Sequence, residues 1–227
     1  MNGWRVTSRS RPGPRWVALV LALCWPRLST AEPERQRYRI DVPRSRFVVN
    51  TETAGTSSMF GHDHKIQVGN YEGTVTVTPG AVESAALDLM IWADSLHAFE
   101  EEHEDISWEI DVALRDHVLH TRKFPKILFS SRSATAQKRE DGSLDVTLTG
   151  ELQLHGVRRR VTVPLRLQFQ AGALRASGTL SLRQSDYKIP PFSFGGGTAS
   201  IADRITLSFD IVAYQERQQA QERKDVR

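Results

Sequence analysis

Two histidines set two residues apart, His62 and His64, form the densest knot of reactive side chains in the chain. On an extended segment that spacing puts both imidazoles on one side, with Ile66 and Val68, while Asp63 points away. Such a pair can meet the polar head of a ligand, ligate zinc or copper, or sit as satisfied core residues. A metal site needs three or four ligands, so His120 or His155 would have to complete one. His155 follows the solvent-facing parity of its strand, which counts against it. His97, His103 and His117 read as surface or helix-face positions.

Other chemistry is sparse. There is no Gly-x-Ser-x-Gly nucleophile elbow and no His-Glu-x-x-His helix. Glu101 and Asp105 sit together at the start of a helical pattern, where the helix dipole already accounts for acidic residues. The only cysteine, Cys24, lies in an apolar run near the N-terminus. The expectation is a protein without catalytic residues, cofactor or resident metal.

Residues 1–31 have the layout of a cleavable secretory signal. Arg5, Arg9, Arg11 and Arg15 lead into the apolar run from Trp16 to Trp25, and Ser29 and Ala31 mark a cleavage site before Glu32. The run is too short for a stable membrane anchor. Acylation of Cys24 would make a lipoprotein, but Leu23 is too bulky for the small residue expected before a modified cysteine. The rest of the chain then has no thiol, hence no disulfide and no cysteine nucleophile. Without this leader 25 basic and 27 acidic side chains remain, a net charge near −2. No basic stripe suited to nucleic acid is left, since Arg158, Arg159 and Arg160 form one compact cluster at a strand entrance.

Strands dominate what must position these groups. Val146, Leu148, Gly150, Leu152 and Leu154 alternate with polar residues, as do Val161, Val163, Leu165, Leu167 and Phe169. Leu174, Ala176, Gly178, Leu180 and Leu182 follow, and then Ile205, Leu207, Phe209, Ile211 and Ala213. A period of two means strands with one dry and one wet face. Phe47, Val49 and Thr51 share a face earlier in the chain, as do Tyr71, Gly73, Val75 and Val77, and then Leu87, Leu89 and Ile91. Pro79-Gly80 and Asp141-Gly142 read as turns. One stretch breaks the pattern: from about Glu101 to His120, Ile106, Ile110, Leu114 and Val118 recur every four residues, which predicts a helix ended by Pro125. Eight or nine strands and one helix make an all-β domain over 32–214, with a polar tail at 215–227. Sandwich and barrel are not separated by these patterns. Gly73, Gly150 and Gly178 fall mid-strand on the apolar face, where they either border a hollow centre or let the sheet coil.

Several stretches resemble the YceI-like family of bacterial exported proteins. They are Tyr38-Arg39-Ile40-Asp41 with Ser45-Arg46-Phe47, Phe60-Gly61-His62-Asp63-His64, and Tyr71-Glu72-Gly73. The more specific ones are Phe124-Pro125-Lys126-Ile127-Leu128-Phe129-Ser130-Ser131 after Val118-Leu119-His120, and Thr149-Gly150-Glu151-Leu152 leading to His155-Gly156-Val157. The resemblance spans roughly residues 38–214 and implies an extended, eight-stranded, antiparallel lipocalin-like barrel with one helical insertion by its mouth. It implies a lumen for a polyisoprenoid, a quinone tail or a fatty acyl derivative, and a periplasmic or secreted address. It also allows a homodimer, which no sequence feature demands. The apolar chain would then lie against Phe47, Val75, Leu89, Phe129, Leu148, Leu165, Leu180 and Phe209, beside Gly73, Gly150 and Gly178, with His62 or His64 at its head.

Overall fold

A computed structural model describes residues 34–55, 64–78, 80–99, 104–170, 172–194 and 199–216. The leader, His62, Asp63, His103 and the last eleven residues of the tail lie outside these. The strands are β1 (Gln36–Ile40), β2 (Arg46–Gly55), β3 (His64–Val68), β4 (Tyr71–Thr78), β5 (Ala81–Trp92) and β6 (Leu96–Ala98). After helix α1 (Glu104–Ala113) come β7 (Lys126–Lys138), β8 (Leu144–Leu154), β9 (Val157–Gln170), β10 (Ala173–Arg183), β11 (Ser193–Phe194) and β12 (Ala199–Gln215). All the pairings are antiparallel.

Six of these strands are three long ones broken at a common level. β1 and β2 lie end to end along one edge of β12, with Ala213 opposite Ile40 and Asp210 opposite Arg46. The short turn Val42–Arg44 makes the jog between them. β3 and β4 are likewise separated only by Gly69 and Asn70, and β5 and β6 by the 3-10 turn Ala93–Ser95. Counted as continuous lines, the strands number eight and meander up and down until the last pairs with the first. The result is a closed eight-stranded antiparallel barrel with one short helix. Closure decides between the two architectures that alternation alone leaves open, because a closed wall has no edge strand.

The jogs interrupt the ladder, and two serines repair it. Ser45 Oγ donates to the carbonyl of Asp41 at 2.7 Å and accepts from the N–H of Val212 at 2.9 Å. Ser95 plays the same part on the next line: its Oγ accepts from the N–H of Asn70 at 2.9 Å and lies 2.7 Å from the carbonyl of Trp92. The bulge at Arg132 is handled similarly, with Ser131 fully buried and its hydroxyl 3.0 Å from the carbonyl of Thr149.

The turns at one end are tight, with Gly80, Gly142 and Gly172 all at positive φ. Tyr38, Val77, Leu174 and Ala213 are buried there and form the floor. At the other end β5 stays paired with β7 up to the bond from Ala93 N–H to the Pro125 carbonyl at 2.9 Å. Beyond it β6 pairs with β3 alone, and the side chain of Asp111 takes up the Ala98 N–H at 2.7 Å that a further strand would have bonded. Helix α1 therefore covers a stretch of wall where β6 has no second strand beside it.

The helix departs from expectation in its last part. After Ala113 the chain continues as a π-helical turn, Leu114–Val118, with Leu119 N–H bonded to the Leu114 carbonyl at 2.8 Å. An apolar residue every fourth position drifts off one face of an ordinary helix, and the wider turn brings Leu114, Val118 and Leu119 back toward the interior.

The mid-strand glycines are sites of crowding. A Cβ on Gly150 would stand 2.6 Å from the Ser130 carbonyl and 2.7 Å from the Phe129 ring. On Gly178 it would collide with the Pro164 carbonyl and meet the Phe209 ring at 2.8 Å, and on Gly73 it would meet Ile40. These positions let neighbouring strands close up as the wall coils, and a side chain from an adjacent strand covers each. Of the two readings of these glycines, the coiling one holds.

Two stability changes follow. Ser45→Ala leaves the Val212 N–H without its acceptor and should cost about 1–3 kcal/mol by chemical denaturation. Gly150→Ala forces the β7 backbone to shift and should cost a similar 1–3 kcal/mol through overpacking, read by the same measurement.

Candidate functional site

The barrel is hollow. Its lumen is a cavity of about 220 Å³. Among the described residues 36 side chains surround it, of which only Thr51 and Gln184 are polar and none is charged. The alternation of each strand produces this lining, since every second residue is apolar and turned inward. Toward the floor the lining is buried, as at Val82, Val146 and Ile211. Toward the helix end Val49, Leu182, Ile205 and Leu207 stay half-exposed.

All eight of the large apolar residues expected around the lumen line it: Phe47, Val75, Leu89, Phe129, Leu148, Leu165, Leu180 and Phe209. Gly73, Gly150 and Gly178 do not, for the crowding already described. Phe47 is anchored edge-on against Tyr71, with ring centroids 4.8 Å apart, and the Tyr71 hydroxyl donates to the Val42 carbonyl at 3.3 Å. Burial pushes the Tyr71 and Tyr38 phenols above their ordinary pKa, so both stay neutral donors.

Pattern reading left several lining residues unassigned. Leu114, Val118 and Leu119 come from the helix exit, and Ile189 from the turn after β10. Gln184 was legible: it continues the inward parity of Leu174 to Leu182 by one step, and its side-chain amide donates to the Ala202 carbonyl at 2.9 Å. Thr51 stands opposite His64 across the β2–β3 ladder, with its hydroxyl 3.4 Å from the His64 carbonyl.

The histidines are dispersed. His64 is half-buried and shares the parity of Ile66 and Val68, as expected, but does not line the cavity. His97 is exposed and lies against Gly69, and His117 stacks on Phe192. His155 is not on a strand. It occupies the two-residue turn between β8 and β9, at φ 51° beside Gly156 at 75°, and its ring lies 2.9 Å from that of His120. His120 and His155 thus meet each other, and among the described residues no three potential ligands stand close enough to hold a metal ion.

Two polar features sit at the rim. Tyr187 is 1% exposed, and its hydroxyl has no hydrogen-bond partner among the described residues, while desolvation raises its pKa. Its backbone carbonyl lies 3.2 Å from His155 Nδ1. No helix among the described residues is long and apolar enough to cross a membrane.

Known proteins match this architecture. BcnA of Burkholderia cenocepacia superposes with a TM-score of 0.56 at 16% identity, covering 76% of this chain and 98% of its own. A polyisoprenoid binding domain from Saccharophagus degradans, implicated in plant cell wall breakdown, gives 0.55 at 13% identity, covering 78% and 98%. The YceI protein of Campylobacter jejuni gives 0.52 at 18%, covering 66% and 84%. At these identities the likeness is one of fold. No curated protein matches the sequence. The model of the YceI-like domain matches residues 38–213, from the first barrel strand to the last, and the chain belongs to that family.

Proposed function

We propose that this chain is an exported binding protein that holds one long apolar ligand, a polyisoprenoid, a quinone tail or a fatty acyl derivative, along its lumen. One observation carries the reading: a closed wall encloses an empty space lined by apolar side chains that no other described residue fills. Such lining is costly unless something apolar occupies it, because a void forfeits the dispersion contacts a packed core would have. Burial of a ligand CH2 contributes about 0.8 kcal/mol, so a chain of about ten carbons supplies about 8 kcal/mol before immobilisation is subtracted.

The absence of charge in the lumen restricts what lies deep inside. A carboxylate or phosphate taken to the floor would lose its hydration with no cation to meet it, so any charged head stays at the helix end. Thr51 and Gln184, with His64 across the ladder from Thr51, are the polar groups nearest to a head there. The Saccharophagus domain, named for polyisoprenoid binding, supports this class of ligand. Residues 1–31 supply the export signal in this reading.

Native mass spectrometry of protein purified from its own cells should show a co-purifying apolar molecule, released on denaturation. Leu207→Trp, on the half-exposed part of the lining, should cut uptake of an added isoprenoid about tenfold or more while the circular dichroism spectrum stays unchanged, the scale of a 1–3 kcal/mol overpacking cost. Consistently empty protein that takes up no lipid on titration would overturn the proposal.

A further inference from the structure

His120 and His155 are 35 residues apart in sequence, yet their rings are hydrogen-bonded at 2.9 Å between Nδ1 and Nε2. Both backbones are left-handed, at φ 48° and 51°, a region that non-glycine residues enter at a cost. The His155 ring lies tilted against Phe124, with centroids 4.3 Å apart, and its Nδ1 is 3.2 Å from the Tyr187 carbonyl. Three segments of the rim therefore converge on these rings: the helix exit, the β8–β9 turn and the turn that follows β10. The helix exit is the part that carries Leu114, Val118 and Leu119 into the lumen.

The bonding fixes the protons. A carbonyl only accepts, so His155 Nδ1 carries its hydrogen and Nε2 accepts from His120 Nδ1–H. One extra proton is tolerated on either ring, since the remaining neutral ring can take the matching tautomer. With two extra protons, N–H faces N–H at 2.9 Å and the bond is lost. We propose that the His120–His155 pair is a proton-operated latch that holds the helical cover on the barrel rim at neutral pH and frees it on acidification. Its bearing on ligand exchange rests on the carrier reading above; the latch itself does not.

The surroundings oppose extra charge. Burial chiefly, then the positive charges of His120 and Lys123, depress the His155 pKa, with the Tyr187 carbonyl acting the other way. Asp186, in the turn after β10, is matched by Arg159, 3.8 Å away in β9, and Lys188 adds a further cation beside Tyr187. No carboxylate bonds to either ring among the described residues. A histidine depressed in the folded state contributes fully above its ordinary value and loses that contribution as pH falls through the lowered one. The latch is therefore closed at neutral pH and opens in acid.

The test compares the full chain with His155→Asn and His120→Asn. Asparagine tolerates the left-handed backbone, Asn-Gly suits the β8–β9 turn, and asparagine does not titrate, so each variant keeps one imidazole and lacks the second proton that parts the pair. Hydrogen exchange of amides 107–119, corrected for the intrinsic pH dependence and referenced to β8 and β9, is read from about pH 7.5 to about pH 5. Release of preloaded N-phenyl-1-naphthylamine is followed over the same range. The wild type should lose protection in 107–119 by about tenfold, with faster probe release, while both variants should show no pH step there. Unchanged wild-type protection, or the same step in both variants, overturns the latch. A protection step in a barrel that never takes up the probe upholds the latch and removes the carrier reading instead.

Discussion

The hydrogen bonds that join β12 to β1 and β2 are the constraint on which the rest depends. They turn a meander into a ring, so each of the eight continuous lines has a neighbour on either side over much of its length, and the wall holds itself up through its backbone. An open sheet has to bury its apolar face against a second layer. A ring can leave that face turned to an empty centre and still satisfy its backbone groups. The half-exposed leucines and valines of the lining follow from closure.

Closure has a geometric cost, met by a few small residues. Strands of this length must tilt and coil to meet, and the three jogs at one level let the wall change direction between its narrow floor and its wider helix end. Ser45 and Ser95 supply through their hydroxyls what the ladder loses at two of those jogs. Gly73, Gly150 and Gly178 provide the close approaches, each roofed by Ile40, Phe129 or Phe209 from an adjacent strand. The same aromatic rings present their other surfaces to the lumen, so they shape the wall and line the cavity together.

Much of this could be read in the sequence because alternation is a property of single strands. Parity placed eight lining residues correctly, and one more step of it reaches Gln184. Closure could not be read, because it is a relation between the first strand and the last. The glycines were ambiguous for a physical reason: a missing side chain looks the same whether it makes room for a ligand or for a neighbouring strand. His155 was misassigned to a strand, although a residue followed by glycine between two alternating runs is the signature of a two-residue hairpin. Once that turn is recognised His155 moves to the rim, but its meeting with His120 still requires the register of β7, β8 and β9.

The wall and the cover differ in how they are held, and this separates stability from exchange. Most strands of the ring are bonded to a neighbour on each side over much of their length, so they open only when much of the domain opens. The helix between β6 and β7 is tied by side chains: Asp111 to the β6 edge and His120 to the β8–β9 turn, with Leu114, Val118 and Leu119 resting on the lumen. Breaking two such ties costs far less than breaking a ladder, so the proposed opening needs only this segment to move. In the proposed reading a molecule reaching the lumen enters beside this segment, where β6 pairs with β3 alone. The spacing of apolar residues that made this stretch a helix therefore also placed the weakest part of the boundary beside the half-exposed end of the lining.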